Sequence, residues 1–329
     1  MTKSLPELID QYLEYMEIEK NSSKLTIRDY RHYLLTFKNW HAMAHPDQGI
    51  GTLSLDNVRK FRVHLANRTD RHGQNLKKVT QNYYVIALRS FLRYLIKNDI
   101  NTLEPSKIDL PKTESRSLKF LEREQVDRLV TMPDTSKIDG LRDRAILELL
   151  FSTGLRVSEL VGLNHEQINL DRREFGVIGK GKKSRIVFIS SRAADWVGRY
   201  ITARKDVYKP LFIRYSGSEI DLEEGEKMRL TARSVERMVK KYVRLARLPV
   251  DATVHTFRHS FATDLLTNGA DIRSVQEMLG HKNIATTQIY THITNKQLRE
   301  VHSAFHSGNN SEAPRVNDNS PLEEEKKSD

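Results

Sequence analysis

Four separated stretches of the chain bring together residue types that can work on a phosphate. STGLRVSELVGL (152–163) sets Arg156 just past a Thr-Gly break, with Glu159 one turn on and able to hold its guanidinium. VIGKGKKSRIVFI (177–189) reads as two strand-like runs around a Gly-Lys-Gly-Lys-Lys turn, with Lys180 between two glycines that let the backbone approach a ligand. VHTFRHSFATDLL (254–266) spaces His255 and Arg258 three apart, on one face of a helix start where anions bind well. LGHKNIATTQIYTHI (279–293) puts His281 beyond a helix-closing glycine, Asn283 where it can cap a short helix, and Tyr290 near that helix's end.

Each stretch alone has a plainer reading: a surface ion pair, an exposed basic turn, an ordinary helix start, a core tyrosine. Together they meet the needs of phosphoryl transfer to a protein hydroxyl. A tyrosine with a pKa of about 10 is ionised to only about one part in a thousand at pH 7, so it needs a proton acceptor or a cationic setting to attack phosphorus. Two arginines can grip the non-bridging oxygens in forked geometry. A lysine can protonate the departing sugar oxygen, and histidines can move the nucleophile's proton or donate to the phosphate. No metal enters this scheme. His255 and His259 have the four-residue spacing of a zinc pair, but no acidic base lies between them and the third ligand would have to be His281. The expectation is therefore no metal and no cofactor.

Composition agrees with such a target. The formal charge is +11, and the tail from Ser307 to Asp329 holds three basic and six acidic residues, which leaves +14 on residues 1–306. A body this basic suits a polyanion, because neutralising phosphates releases counterions. The chain has no cysteine, which excludes disulfides, thiolate metal sites and a cysteine nucleophile. The first 20 residues alternate charge with apolar side chains and lack a signal-peptide core, and no apolar run approaches the roughly 20 residues of a membrane span. A soluble cytoplasmic protein is expected.

Helices and strands must carry these residues into register. Leu5, Leu8, Ile9, Tyr12, Leu13 and Met16 repeat at helical spacing, and Ser22 or Ser23 can cap a second helix over 24–43. Val58, Phe61, Val63 and Leu65 mark a third over 55–67, and Tyr84 to Leu95 a fourth over 76–97. Lys24, Arg28, Arg31 and Lys38 on the second, with Lys77, Lys78, Arg89 and Arg93 on the fourth, lie between the apolar positions. Pro105 and Pro111 interrupt the pattern, giving domains 1–104 and 120–306 with a linker at 105–119 and a disordered acidic tail over 307–329. The second domain begins at FLEREQVDRLV, and helices over 139–151 and from 156 precede β runs QINL, EFGVI and SRIVFI. Further helices are expected at 191–207, 231–246, 255–268, 271–279, 284–291 and 294–305.

With these residues in view, the chain resembles the tyrosine recombinases, also called the phage integrase family, and among them the Xer type that resolves chromosome dimers. TGLRVSEL, VIGKGKKSRIV, HTFRHSFATDLL and LGHKNIATTQIYTH carry the resemblance, which covers residues 1 to about 306. It implies an all-α N-terminal four-helix core-binding domain and a mainly α catalytic domain with a small antiparallel β-sheet. Carried over by position, Arg156 and Arg258 are the phosphate arginines and Lys180 the general acid, with Lys182 and Lys183 competing for that role. His255 and His281 are the site's histidines, and Tyr290 is the nucleophile that forms a 3′-phosphotyrosyl intermediate. The resemblance further implies double-stranded DNA, a tetramer of recombinase subunits, a Holliday junction and no ATP, with a helix over 294–305 docking on a neighbouring subunit. A second recombinase and a DNA translocase are further partners that it allows. Three alternatives stay open: an integrase of a mobile element, a monomeric type IB topoisomerase, and a catalytically inactive DNA-binding protein. Compact length, with no arm-binding domain before Leu5, favours the chromosomal role over the first.

Overall fold

The computed structural model describes residues 3–46, 48–69, 73–111, 119–179, 183–216 and 224–280. The chain divides into two compact units, Met1–Arg116 and Ser117–Asp329.

In the first unit, three of the four described helices start at a serine cap. α1 (Leu5–Ile18) begins at Ser4, whose backbone N–H donates to Glu7. α2 (Lys24–Ala44) begins at Ser23, whose hydroxyl accepts from the Thr26 amide at 3.2 Å. α3 (Leu55–Asn67) starts on a reciprocal Ser54–Asn57 box, and α4 (Lys78–Lys97) follows a loop. Leu8 and Leu13 of α1, Phe37 of α2, Phe61 of α3 and Leu88 and Phe91 of α4 meet in one core. Each such side chain contributes about 1.5–3 kcal/mol when fully buried. Two expectations need correction. Val63 is exposed, since it lies two residues from both Phe61 and Leu65 and so falls on the opposite helix face. The fourth helix begins at Lys78 rather than at 76, because the Leu76 amide is tied back to the Arg68 carbonyl at 3.1 Å. Ile108, beyond the short turn Pro105–Lys107, is buried in this same core.

The second unit is built around α6 (Ile138–Thr153), which is buried nearly all round. Its two enclosed carboxylates are partnered, as burial demands. Asp143 takes Arg142 and the Tyr242 hydroxyl at 2.9 Å, and Glu148 takes Arg144 at 2.9 Å and Arg192 at 2.8 Å. Around it pack α5 (Arg123–Val130), α7 (Val157–Val161), α8 (Ser191–Ala203), α9 (Ala232–Leu245) and α10 (Val254–Thr267), and α11 (Ile272–Leu279) packs on the far part of α10. β1 (Glu174–Ile178) and β2 (Ser184–Phe188) pair antiparallel, Glu174 opposite Phe188 and Ile178 opposite Ser184. The unit is thus mainly helical with one small antiparallel sheet among the described residues. QINL forms no strand, only a bridge of Asn169 to Glu174. The helix expected over 191–207 stops at Ala203, because the Arg204 guanidinium is drawn to Asp206 and to the carbonyls of Pro210 and Leu211. The helices expected at 284–291 and 294–305 and the tail lie outside the described residues.

Candidate active site

The site begins where α6 ends. Gly154 closes that helix at φ +59°, and a Cβ there would stand 2.6 Å from Cδ1 of Phe261, so no larger residue fits without displacing the ring. The turn delivers Arg156 in extended backbone as the cap of α7. Glu159, at the third position of α7, accepts from the Arg156 amide at 2.9 Å and from its Nη1 at 2.8 Å. That i,i+3 pairing is the one the sequence suggested, and it holds the guanidinium at a point where it is still 26% exposed.

Arg258 reaches the same place from α10. Thr253 caps α10, and Arg258 lies just beyond the helix's first turn, only 4% exposed. Its Nη1 donates to the Gly154 carbonyl at 2.7 Å and its Nη2 to the Leu279 carbonyl. Leu279 ends α11, whose cap Gly280 turns left-handed at φ +63°. The last carbonyls of a helix lack intrahelical donors and carry the negative end of its dipole, so they attract cations. Here three successive ones each receive a different arginine: Met278 from Arg185 Nε at 3.1 Å, Leu279 from Arg258, and Gly280 from Arg156 Nη2 at 3.4 Å. Two helix ends closed by glycine thus bring Arg156 and Arg258 together, although 102 positions of sequence separate their numbers.

Between the cations sits one buried carboxylate. Arg185 forks onto Glu159 with Nη1 and Nη2 at 2.9 and 2.8 Å, so Glu159 accepts two guanidinium groups and one backbone amide. Burial alone would raise its pKa, but the Arg185 fork, the Arg156 amide and the Arg156 side chain outweigh it and bring it down to about 2. The carboxylate is therefore charged throughout the physiological range, and two arginines stay beside each other without mutual repulsion deciding their places.

His255 lies one turn before Arg258 and is exposed where Arg258 is buried, so the two share a helix but not an environment. His259 is half-buried with its ring 6.4 Å from that of His255; burial, then His255 and then Arg258 push its pKa down, which keeps it neutral at pH 7. Among the described residues no three His, Cys, Asp or Glu side chains group as a metal site. Lys183, a competitor for the hairpin role, is exposed, and its carbonyl accepts from the Gly179 amide at 2.8 Å. Lys180, Lys182, His281 and Tyr290 lie outside the described residues. Arg185 was not singled out from the sequence. Its signal was its place opposite Val177, on the inward side of the hairpin between buried apolar neighbours. Exposed Ile178, Ile186 and Phe188 on the outward side hid that alternation.

Residues 119–297 match the phage integrase family, and residues 9–99 match the phage integrase N-terminal SAM-like domain. The chain belongs to the phage integrase family of tyrosine recombinases. Tyrosine recombinase XerD of Lacticaseibacillus casei is 38% identical over 300 residues, covering 91% of this chain and 98% of that protein. XerD of Staphylococcus aureus strain Mu50 is 35% identical over 303 residues, covering 91% of this chain and 98% of the relative. Two solved structures share the fold. XerH recombinase bound to palindromic difH substrate has a TM-score of 0.68 at 22% identity, over 90% of this chain and 84% of that one. The Tn1549 transposon integrase in complex with transposon right end DNA also scores 0.68, at 17% identity over 91% of this chain and 99% of the other. The chain is an Xer-type, site-specific tyrosine recombinase, an enzyme that cleaves and rejoins DNA through a tyrosine nucleophile with neither metal nor ATP. Among the described residues no helix is long and apolar enough to cross a membrane.

Proposed function

We propose that Arg156 and Arg258 hold the scissile phosphate, Tyr290 attacks it, Lys180 protonates the leaving oxygen, and His255 and His281 handle the nucleophile's proton and the phosphate. The phenolic oxygen forms a bond to phosphorus while the bond to the 5′ oxygen breaks. A histidine accepts the phenolic proton, Lys180 gives one to the departing deoxyribose alcohol, and the products are a 3′-phosphotyrosyl link and a free 5′-hydroxyl. The arginines stabilise the charge that builds on the non-bridging oxygens. The link retains the phosphodiester energy, so rejoining is the reverse attack by a 5′-hydroxyl. The observation that carries this reading is the meeting of Arg156 and Arg258 at the carbonyl end of α11, from which the chain runs directly into His281 and, nine residues later, Tyr290.

The substrate in this reading is double-stranded DNA at a dif-like chromosomal site, bound by residues 1–104 and by residues 120–306, with 105–119 as linker and 307–329 as an acidic tail. Four recombinase subunits act in the cytoplasm through a Holliday junction, with a second recombinase or a translocase as further partners. Identities of 35–38% to proteins named XerD, over nearly their whole length, favour this role over mobile-element integration. The test is to incubate the protein with fragmented host chromosome and map the ends that become covalently attached. One chromosomal locus is expected; attachment only at the borders of a mobile element would replace the chromosomal role. Arg156→Ala should lower adduct formation about 10²–10³-fold, the scale of one transition-state donor, and unchanged cleavage would remove Arg156 from the site.

A further inference from the structure

Arg185 does more in this site than neutralise a carboxylate. Its guanidinium forks onto Glu159 with one edge and reaches the Met278 carbonyl through Nε, so a single side chain of the hairpin is fastened to both α7 and the end of α11. Its side chain is 11% exposed, and it runs close to two glycines. A Cβ on Gly179 would stand 3.2 Å from Arg185 Nη1 and 3.5 Å from Glu159 Oε1; a Cβ on Gly280 would stand 3.2 Å from Arg185 Cδ and 3.3 Å from its Nη1. Those glycines are the residues directly before Lys180 and His281. Three of the proposed catalytic residues therefore depart from points that Arg185 touches: Arg156 through Glu159, Lys180 from Gly179, and His281 from Gly280.

We infer that Arg185 is a positioning residue for strand cleavage, which locks the Arg156 guanidinium through Glu159 and ties the start of the lysine turn to the end of α11. It rests on the roles proposed above for Arg156, Lys180 and His281. Arg185 commits three of its five N–H donors, its terminal fork among them, to Glu159 and Met278. Its loss should spare DNA affinity and act on the chemical step, where misplacement by about 1 Å costs on the order of 10²-fold. Lysine cannot replace it, since one ammonium cannot present a planar fork to Glu159 and a third donor to Met278 together.

The test uses the full chain and a nicked duplex built on the sequence to which the wild-type protein becomes covalently attached. Arg185→Gln should bind that duplex within about twofold of wild type and form the phosphotyrosyl adduct about 10²-fold more slowly at saturating DNA. Arg185→Lys should recover less than tenfold of that loss. If Arg185 acts through Glu159, then in a Glu159→Gln background Arg185→Gln should slow cleavage by no more than about threefold further, whereas independent effects would multiply. Cleavage by Arg185→Gln within threefold of wild type, full recovery by lysine, or multiplying losses would each overturn the inference. Where Arg185→Gln does not fold, Arg185→Lys carries the same test. Arg156→Ala is run alongside: if it cleaves normally, the underlying site assignment has failed, and if it is inactive while Arg185→Gln is unimpaired, only the positioning role is lost.

Discussion

Replacing Glu159 with glutamine should destabilise the second unit by about 3 kcal/mol at pH 7. The carboxylate is 3% exposed and accepts from Arg156 and Arg185 at 2.8–2.9 Å. Its pKa falls from 4.5 to about 2, a preference for the charged form worth about 3 kcal/mol at 1.36 kcal/mol per unit. Removing one partner of a buried pair costs about 3–5 kcal/mol by direct comparison, which agrees. The sign with pH follows from the depressed value. The contribution is complete above the unfolded carboxyl's pKa of 4.5 and is lost as pH falls through about 2. By pH 3.5 the gap between wild type and variant should therefore have closed by about 1 kcal/mol. The chain has two tryptophans, Trp40 in the first unit and Trp196 in the second, so Trp40→Phe leaves Trp196 as a reporter of the unit in question. In that background, urea unfolding at pH 6 should show the Glu159→Gln midpoint lower by about 1–1.5 M, for a slope of about 2–3 kcal/mol/M. A shift below about 0.3 M at pH 6, or one that is the same at pH 3.5, would refute the reading of Glu159 as the charged tie between the two arginines.

Gly154→Ala should cost at least about 1 kcal/mol, because the left-handed φ of +59° and the nearby Phe261 ring both oppose a side chain; the same fluorescence assay reads it, and an unchanged midpoint would contradict the local geometry. Arg258→Ala should slow adduct formation about 10²–10³-fold, measured on a nicked duplex, and near-normal cleavage would exclude a phosphate role. DNA affinity should fall by about 10³-fold or more between 50 and 200 mM salt if at least about six phosphates are contacted, and a flat salt response by fluorescence anisotropy would count against a phosphate-tracking interface.

The long periodic elements were legible because periodicity reports burial directly: Leu8, Leu13, Phe61 and Leu88 all sit in the core that their spacing suggested. A cap was legible too, since the Ser23 hydroxyl accepts from the Thr26 amide, one of those that a helix start leaves free. Of the site, Arg156 and its hold by Glu159 could be read from an i,i+3 spacing just after a glycine break. What could not be read was the long-range half. No spacing along the chain tells that Arg258 will bond the carbonyls of Gly154 and Leu279, or that Arg185 will cross to Glu159 and Met278. Those bonds depend on packing between elements far apart in sequence. Arg185 also sits in a strand whose outward side carries Ile186 and Phe188, so neither hydropathy nor alternation marked it.

The most direct measurement is the identity of the residue that takes DNA. The protein is incubated with a nicked duplex carrying its cleavage sequence, digested to peptides and nucleotides, and the adduct located by mass spectrometry. A 3′-phosphate linked to the peptide holding Tyr290, and no adduct from a Tyr290→Phe protein that still binds the duplex, is the result expected. DNA attached to any other side chain, or attachment that persists in Tyr290→Phe, would contradict it.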